Sequence, residues 1–456
     1  MKLTTIKKAA PRSPAISWHL LVAAAALLAT LHPASALTWD TNGPTNVWTL
    51  TTGNANWTPG PVEWTDGNTA VFDNATGEAI TITGTVSPTS VTVGANNGSW
   101  TFAGSGSITG SGGISKTGTG TLTILNANSY DGLTSLTTAG GVLNIQNANA
   151  LGSTVGATNI NAGSLQLQGG ITVVGESLTV TNGGRLVNVS GTNEWNGSIN
   201  PVTSGSGSRF QSDSGLLTVS GTVTLTGNAA SFSVRGAGNG VVSGDIVEGG
   251  TASGLSKADA GTWTFSGANS YKGTTNVSTG TLLITGDSSA ATGAVTVANG
   301  ATLGGTGIVG GATTVSGGGI ISAGDGGGAD TLTFANGLSL SAGNSRAIFE
   351  AGDLIAVTGG TLGLASAWDL TISGPGYKNG GTTTLFTYTT AGTIFTNADI
   401  TLTGLGFTPS GPLTLTSTGS AIVLNGISVV PEPSTWALLA FSLTTVMVLR
   451  RRTRNR

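Results

Sequence analysis

The chain has no cysteine, which excludes disulfides, thiolate nucleophiles and cysteine-ligated metals. Histidine is almost as scarce: the only two, His19 and His32, lie in the first 36 residues. Charged side chains make up 8% of the 456 residues and aromatic ones 5%. Low charge with 38% hydrophobic residues is not the composition of a disordered chain. No long heptad or helical periodicity is visible. What is abundant is glycine, 75 residues, which disfavours helix at about 1 kcal/mol per position. Thr, Val and Ile are stiff at χ1 and suit strands. Glycine and asparagine suit the turns between them. The composition therefore calls for many short strands joined by tight turns.

Residues 1–36 read as an export signal. Lys2, Lys7, Lys8 and Arg12 form a positive start, Leu20 to Leu31 an apolar stretch, and Ala34-Ser35-Ala36 an A-x-A cleavage site. About 12 apolar residues are too few to span roughly 30 Å of hydrocarbon. Cleavage after Ala36 would leave a chain beginning at Leu37, without histidine or cysteine. From Leu37 to Leu449 the acids outnumber the bases, for a net charge of about −12. Dilute, scattered acidity argues against a nucleic-acid partner, which needs clustered Lys and Arg.

An internal repeat is visible. Gly113 to Thr138 (GISKTGTGTLTILNANSYDGLTSLTT) aligns without gaps on Gly254 to Thr279 (GLSKADAGTWTFSGANSYKGTTNVST), with 13 of 26 positions identical. Both copies run on into a strand, GGVLNI at 140–145 and GTLLI at 280–284. Weaker echoes such as GATNINAGSLQL and GAVTVANGATLGG alternate apolar and small polar residues. Short period-2 strands, small stackable turn residues and no intervening helix point to an all-β fold, a right-handed parallel β-helix. Rungs of roughly 20–25 residues would give on the order of 15 coils, a rod about 70 Å long. The boundaries read as a Trp-rich N-terminal cap at 37–105, repeats at 106–337, terminal β rungs at 338–428 and a sorting tail at 429–456. Trp39, Trp48, Trp57 and Trp64 would close the open core; the alternative is a sugar-stacking surface.

These repeats resemble autotransporter-associated β-strand repeats, which build the passenger β-helix of bacterial surface proteins. A true autotransporter ends in a membrane barrel of many strands. No such pattern follows residue 428. The ending (VPEPSTWALL at 430–439, an apolar run to Leu449, then Arg450, Arg451 and Arg452) resembles the PEP-CTERM sorting signal. The resemblance implies that Pro431, Glu432 and Pro433 mark a processing region for an exosortase-type membrane transpeptidase. It also implies delivery across the inner membrane to the surface or matrix of a Gram-negative bacterium, often alongside exopolysaccharide. The prolines enforce an extended approach. Ser434 can cap a following helix of 16 residues to Leu449, about 24 Å long, before arginines that would stay cytoplasmic. An uncut C-terminal anchor is the plainer alternative.

For catalysis the chain offers only carboxylates and bases. Asp66, Asp73 and Glu78, then Asp325 and Asp330 around GDGGGAD, and Glu350 with Asp353 are candidate glycosidase acids or ordinary turn residues. A β-helical polysaccharide lyase would need a Lys or Arg base from among Lys116, Arg185, Arg209, Arg235, Lys257, Lys272, Arg346 and Lys378. Lys116 and Lys257 hold equivalent repeat positions, which suits architecture better than one active site. GDGGGAD lacks the spacing of an EF-hand or a calcium β-roll, so it reads as a wide turn. Asn128-Ser129-Tyr130 recurs as Asn269-Ser270-Tyr271 and reads as a turn whose Asn bonds the backbone. The expectation is a non-enzymatic exported surface or matrix protein, with no cofactor, metal site or catalytic residue. A carbohydrate-active enzyme such as a lyase is the alternative.

Overall fold

The computed structural model describes residues 34–430, apart from 95–97, 138–139, 203–206, 228–230 and 325–327. Every regular element among them is a β-strand, most of them two to five residues long. The strands wind as a parallel β-solenoid with three faces. Its second face is one uninterrupted sheet of 16 strands, from Val47–Trp48 to Ala391–Ile394. The first face is an 11-stranded sheet up to Ile246–Glu248 and then a seven-stranded sheet from Asp287–Ser288 onward. The third face begins as a pair, Thr85–Val86 and Ser107–Ile108, and resumes as 11 strands from Thr172–Val173 to Asp399–Thr403. Successive strands of the second face are separated by as few as 18 residues (Val295 to Thr313) and, at the N-terminal end, by as many as 34 (Val47 to Thr81).

Alternation creates the core. In Thr121–Ile124 the burial runs intermediate, buried, intermediate, buried, because successive side chains leave opposite sides of a strand. In-register parallel pairing then stacks like on like. Trp100, Leu122, Leu143, Leu165, Leu186 and Phe210 form one inward column over six rungs. All six are fully buried. No rung could bury this surface alone, which makes stacking the source of stability.

Glycine makes close corners possible. Gly197, Gly221, Gly244, Gly267, Gly286 and Gly307 occupy one corner on successive rungs. A Cβ on any of them would run into the carbonyl of the residue stacked beneath, which from Gly221 onward is the preceding glycine of the column. None of these six has the positive φ that favours glycine, so close approach explains them, not backbone twist.

The ends differ from the middle. Trp39, Trp48, Trp57 and Trp64 are buried, in ring contacts with one another and with Phe72. No open indole face is left there for a sugar to stack on. Strand Ala36–Trp39, which starts at the expected cleavage point, pairs antiparallel with Trp57–Thr58 and parallel with Thr69–Phe72. At the other end Tyr377–Tyr388 pairs antiparallel with Ala421–Val429, which in turn pairs with Thr414–Ser417. The region past Gly337 thus continues the rungs and then folds back on itself.

Candidate functional site

The repeated motif is the natural first place to look for chemistry. Lys116 and Lys257 point into the solenoid and are fully buried. Lys116 Nζ donates to the Thr117 and Gly118 carbonyls, at 2.5 and 3.0 Å. Lys257 Nζ donates to Ala258, Asp259 and Thr279, at 2.9, 2.7 and 3.0 Å. Burial pulls both ammonium groups down to about 8, with Asp259 opposing the shift at Lys257. A lysine held this way ties the turn that follows it and presents no free base to a substrate.

The Asn-Ser-Tyr segments lie where two faces are interrupted. Asn128 Oδ1 accepts from the Ile108 N–H at 3.0 Å, and its Nδ2 donates to the Ala150 carbonyl at 2.8 Å. Asn269 Oδ1 accepts from the Ile246 N–H at 3.0 Å, and its Nδ2 donates to Ser288 Oγ at 2.9 Å. Backbone bonds run alongside, from Ser129 to Ile108 and from Ser270 to Ile246. A side-chain amide has the donor and acceptor of a peptide group, so it continues a ladder where the strand lapses. The tyrosines behind are buried and share hydroxyl bonds with Thr134 at 2.6 Å and Thr275 at 2.8 Å. Burial pushes both phenols up. The Asn side chains bond backbone as expected, but these bonds run across rungs and not within a local turn, and so they splice the sheets.

The two copies are not in equivalent places. Ile114–Lys116 and Thr121–Ile124 lie on the first and second faces, whereas Leu255–Lys257 and Thr262–Phe265 lie on the second and third. One copy is therefore turned by one face about the axis. The same residues serve equally well in either setting because each contact is local to a rung and its neighbours.

The carboxylates divide into turn residues and one cluster. Asp66 accepts from the Trp64 indole at 3.0 Å and the Ser87 amide at 2.7 Å, and Glu78 accepts from the Trp39 indole at 2.8 Å. Asp73 is not brought into a site with them by any bond. Asp325 lies outside the described residues. Asp330, Glu350 and Asp353, read from the sequence as two separate groups, meet at one corner. Asp353 accepts from the Asp330 amide at 3.2 Å and the Glu350 amide at 2.7 Å. Burial, opposed by those two bonds, raises its carboxyl to about 6. Among the described residues no group of three or more His, Cys, Asp or Glu side chains is placed to hold a metal ion.

Two features escaped the sequence. Glu176 is buried in the corner between Val173 and Leu178, accepting from the Thr158 hydroxyl at 2.7 Å. Burial raises it to about 7 against that bond. Arg185 and Arg209 are direct register partners on the outside of the second face, and Arg235 follows one rung later opposite Gln211. In the sequence each stands as a single base. Their spacing, close to one rung, was the available signal.

Of the terminal residues, Ala34 and Ala36 are exposed at the start of the described chain. Pro431, Glu432, Pro433, Arg450, Arg451 and Arg452 lie outside the described residues.

Residues 114–167 and 255–284 match the passenger-associated transport repeat family. Both matches contain the Lys, Asn and Tyr positions that tie rungs together. No curated protein matches the chain.

Proposed function

We propose that the protein is an exported, non-enzymatic β-helical rod of the cell surface or extracellular matrix, with an adhesive or structural role beside exopolysaccharide. Passenger-type repeats in a solenoid point to an exported surface protein, and they carry the reading. Export would use the signal ending at Ala36. The tail at 429–456, with Pro431-Glu432-Pro433 and Arg450 to Arg452, would be processed by an exosortase-type transpeptidase in the inner membrane of a Gram-negative cell. The winding is taken as right-handed, following the chirality of parallel crossovers.

The distribution of charge supports a non-enzymatic role. Lys116 and Lys257, the repeat bases a lyase would draw on, spend their protons on turn carbonyls. Asp66 and Glu78 hold tryptophan indoles. The test has two parts. Intact cells are treated with protease to score exposure, and the purified full chain is incubated with acidic polysaccharides and calcium while unsaturated sugar ends are followed by absorbance. Protease-sensitive surface protein and a flat trace are expected. Turnover, abolished by replacing one arginine or lysine, would establish the lyase reading instead.

A further inference from the structure

Three of the chain's few bases lie together on one outer face. Arg185 and Arg209 face each other across neighbouring strands, and Arg235 stands on the next rung. Like charges directly opposite destabilise a sheet. Among the described residues only the Asp259 carboxylate opposes this charge, and weakly. No hydrogen bond leaves any of the three guanidinium groups among the described residues, and their buried Nε atoms donate to nothing. Each carries five donors. The nearest ion pair is Arg235 Nε to Asp259 at 3.5 Å, half-exposed and weak. Burial first, and then the charges of Arg185 and Arg235, hold the Arg209 guanidinium below its usual value, against Asp259. Contrast the repeat lysines, whose donors are committed to carbonyls.

The surroundings define what would fit. Outward amides lead into the stripe along the same face: Asn144 pairs with Gln166, which is followed by Val187, Gln211 and Arg235 in register. Val187 points outward yet is buried. Amides suit hydroxyls, and guanidinium suits carboxylates, to which it can bond bidentately. One positive charge per rung is one per about 4.8 Å. Double-stranded DNA carries one negative charge per roughly 1.7 Å, far denser than the stripe. Asp213 accepts from Gln211, and with Asp259 it borders the stripe, further disfavouring a dense polyanion.

We propose that Arg185, Arg209 and Arg235 form a docking stripe for the carboxylates of an acidic polysaccharide lying along the solenoid axis. This rests on the surface reading above and names the site through which the rod would hold its matrix. The polymer's sugar hydroxyls meet Gln166 and Gln211, and its carboxylates take the unused guanidinium donors.

The test uses the full-length protein and polygalacturonate, with neutral dextran and double-stranded DNA as competitors. Binding should weaken with salt, as expected of exposed charge pairs. The Arg185→Gln/Arg209→Gln/Arg235→Gln variant should bind polygalacturonate about tenfold or more weakly, while Lys272→Gln binds as wild type. Its thermal midpoint should be no lower than wild type, because the repulsion is gone. Should the triple variant not fold, Arg209→Gln alone is expected to lose about threefold, with Arg209→Lys restoring part of it. Unchanged binding by the variant, equal binding of dextran, or preference for DNA would each overturn the site. Surface exposure is scored separately on the same protein. Binding without exposure would sink the surface reading and leave the site, and exposure without binding would do the reverse.

Discussion

Replacing Asn128 or Asn269 by alanine tests whether a side-chain amide splices the sheets. In Asn128→Ala the Ile108 N–H loses its acceptor and the Ala150 carbonyl loses a donor. Asn126, whose Nδ2 donates to Asn128 Oδ1 at 2.8 Å, also loses a partner. Asn128 is 5% exposed, so water does not readily replace the amide. A buried polar group left unpaired costs about 1–3 kcal/mol, so two orphaned backbone groups should cost about 2–6 kcal/mol. Asn269→Ala orphans the Ile246 N–H and takes a donor from Ser288 Oγ, with a similar cost. Asn128→Asp keeps the acceptor for Ile108 but turns an anion toward the Ala150 carbonyl, and should be no better than alanine. The splices lie several rungs apart, so the double variant should show additive losses. Urea unfolding followed by circular dichroism and tryptophan fluorescence measures this. A separated transition for rungs on one side of the splice would agree, since solenoid stability is a sum of neighbour terms. Both alanine variants within about 0.5 kcal/mol of wild type would refute the reasoning.

Glu176 gives a pH prediction. Its carboxyl is raised to about 7, so the folded chain keeps a proton that the unfolded chain releases near 4.3. Stability should be greatest below the unfolded value and decline as pH rises to about 7. Glu176→Gln keeps an acceptor for Thr158 and should match wild type at pH 4, but be about 3 kcal/mol more stable at pH 8 by urea melts. Lys257 shows the opposite trend. Its pKa is lowered to about 8, so wild-type stability should climb between about 8 and 10.5. Lys257→Met should halve that climb, which Lys116 shares, and cost about 1–3 kcal/mol at pH 7, because the three carbonyls it leaves, on half-buried Ala258 and exposed Asp259 and Thr279, are within reach of water. Gly244→Ala should cost about 1–3 kcal/mol or more, because its methyl meets the Gly221 carbonyl, while Gly411→Ala, with open space, should be neutral in the same melts.

Much of the fold was legible because a solenoid writes its architecture locally. Period-2 alternation gave strands such as Thr121–Ile124 and Thr262–Phe265, and the recurring Asn-Ser-Tyr segments pointed to Asn side chains that bond backbone, though not to the rungs they reach. Glycines able to stack on copies of themselves were expected, and the corner column from Gly197 to Gly307 is that stacking. Rotation of one repeat copy by a face was not legible, since it depends on the summed lengths of all the rungs between. Register across rungs was hidden for the same reason. Arg185 and Arg209 are 24 residues apart in sequence and direct neighbours in the sheet. Asp330 and Asp353 come together the same way, across stacked strands Thr331–Phe334 and Leu354–Val357. Glu176 was missed because a single acid among Gly and Ser looks like a solvated turn until its neighbours close over it.

The central claim is that this solenoid is carried to the cell surface between two removable ends. Mass spectrometry of the native protein's termini tests it most directly. The account predicts a chain beginning at Leu37 and lacking the terminal LRRRTRNR. Recovery from the surface of a chain that still ends in Arg450 to Arg456 would contradict it and make the tail a simple anchor.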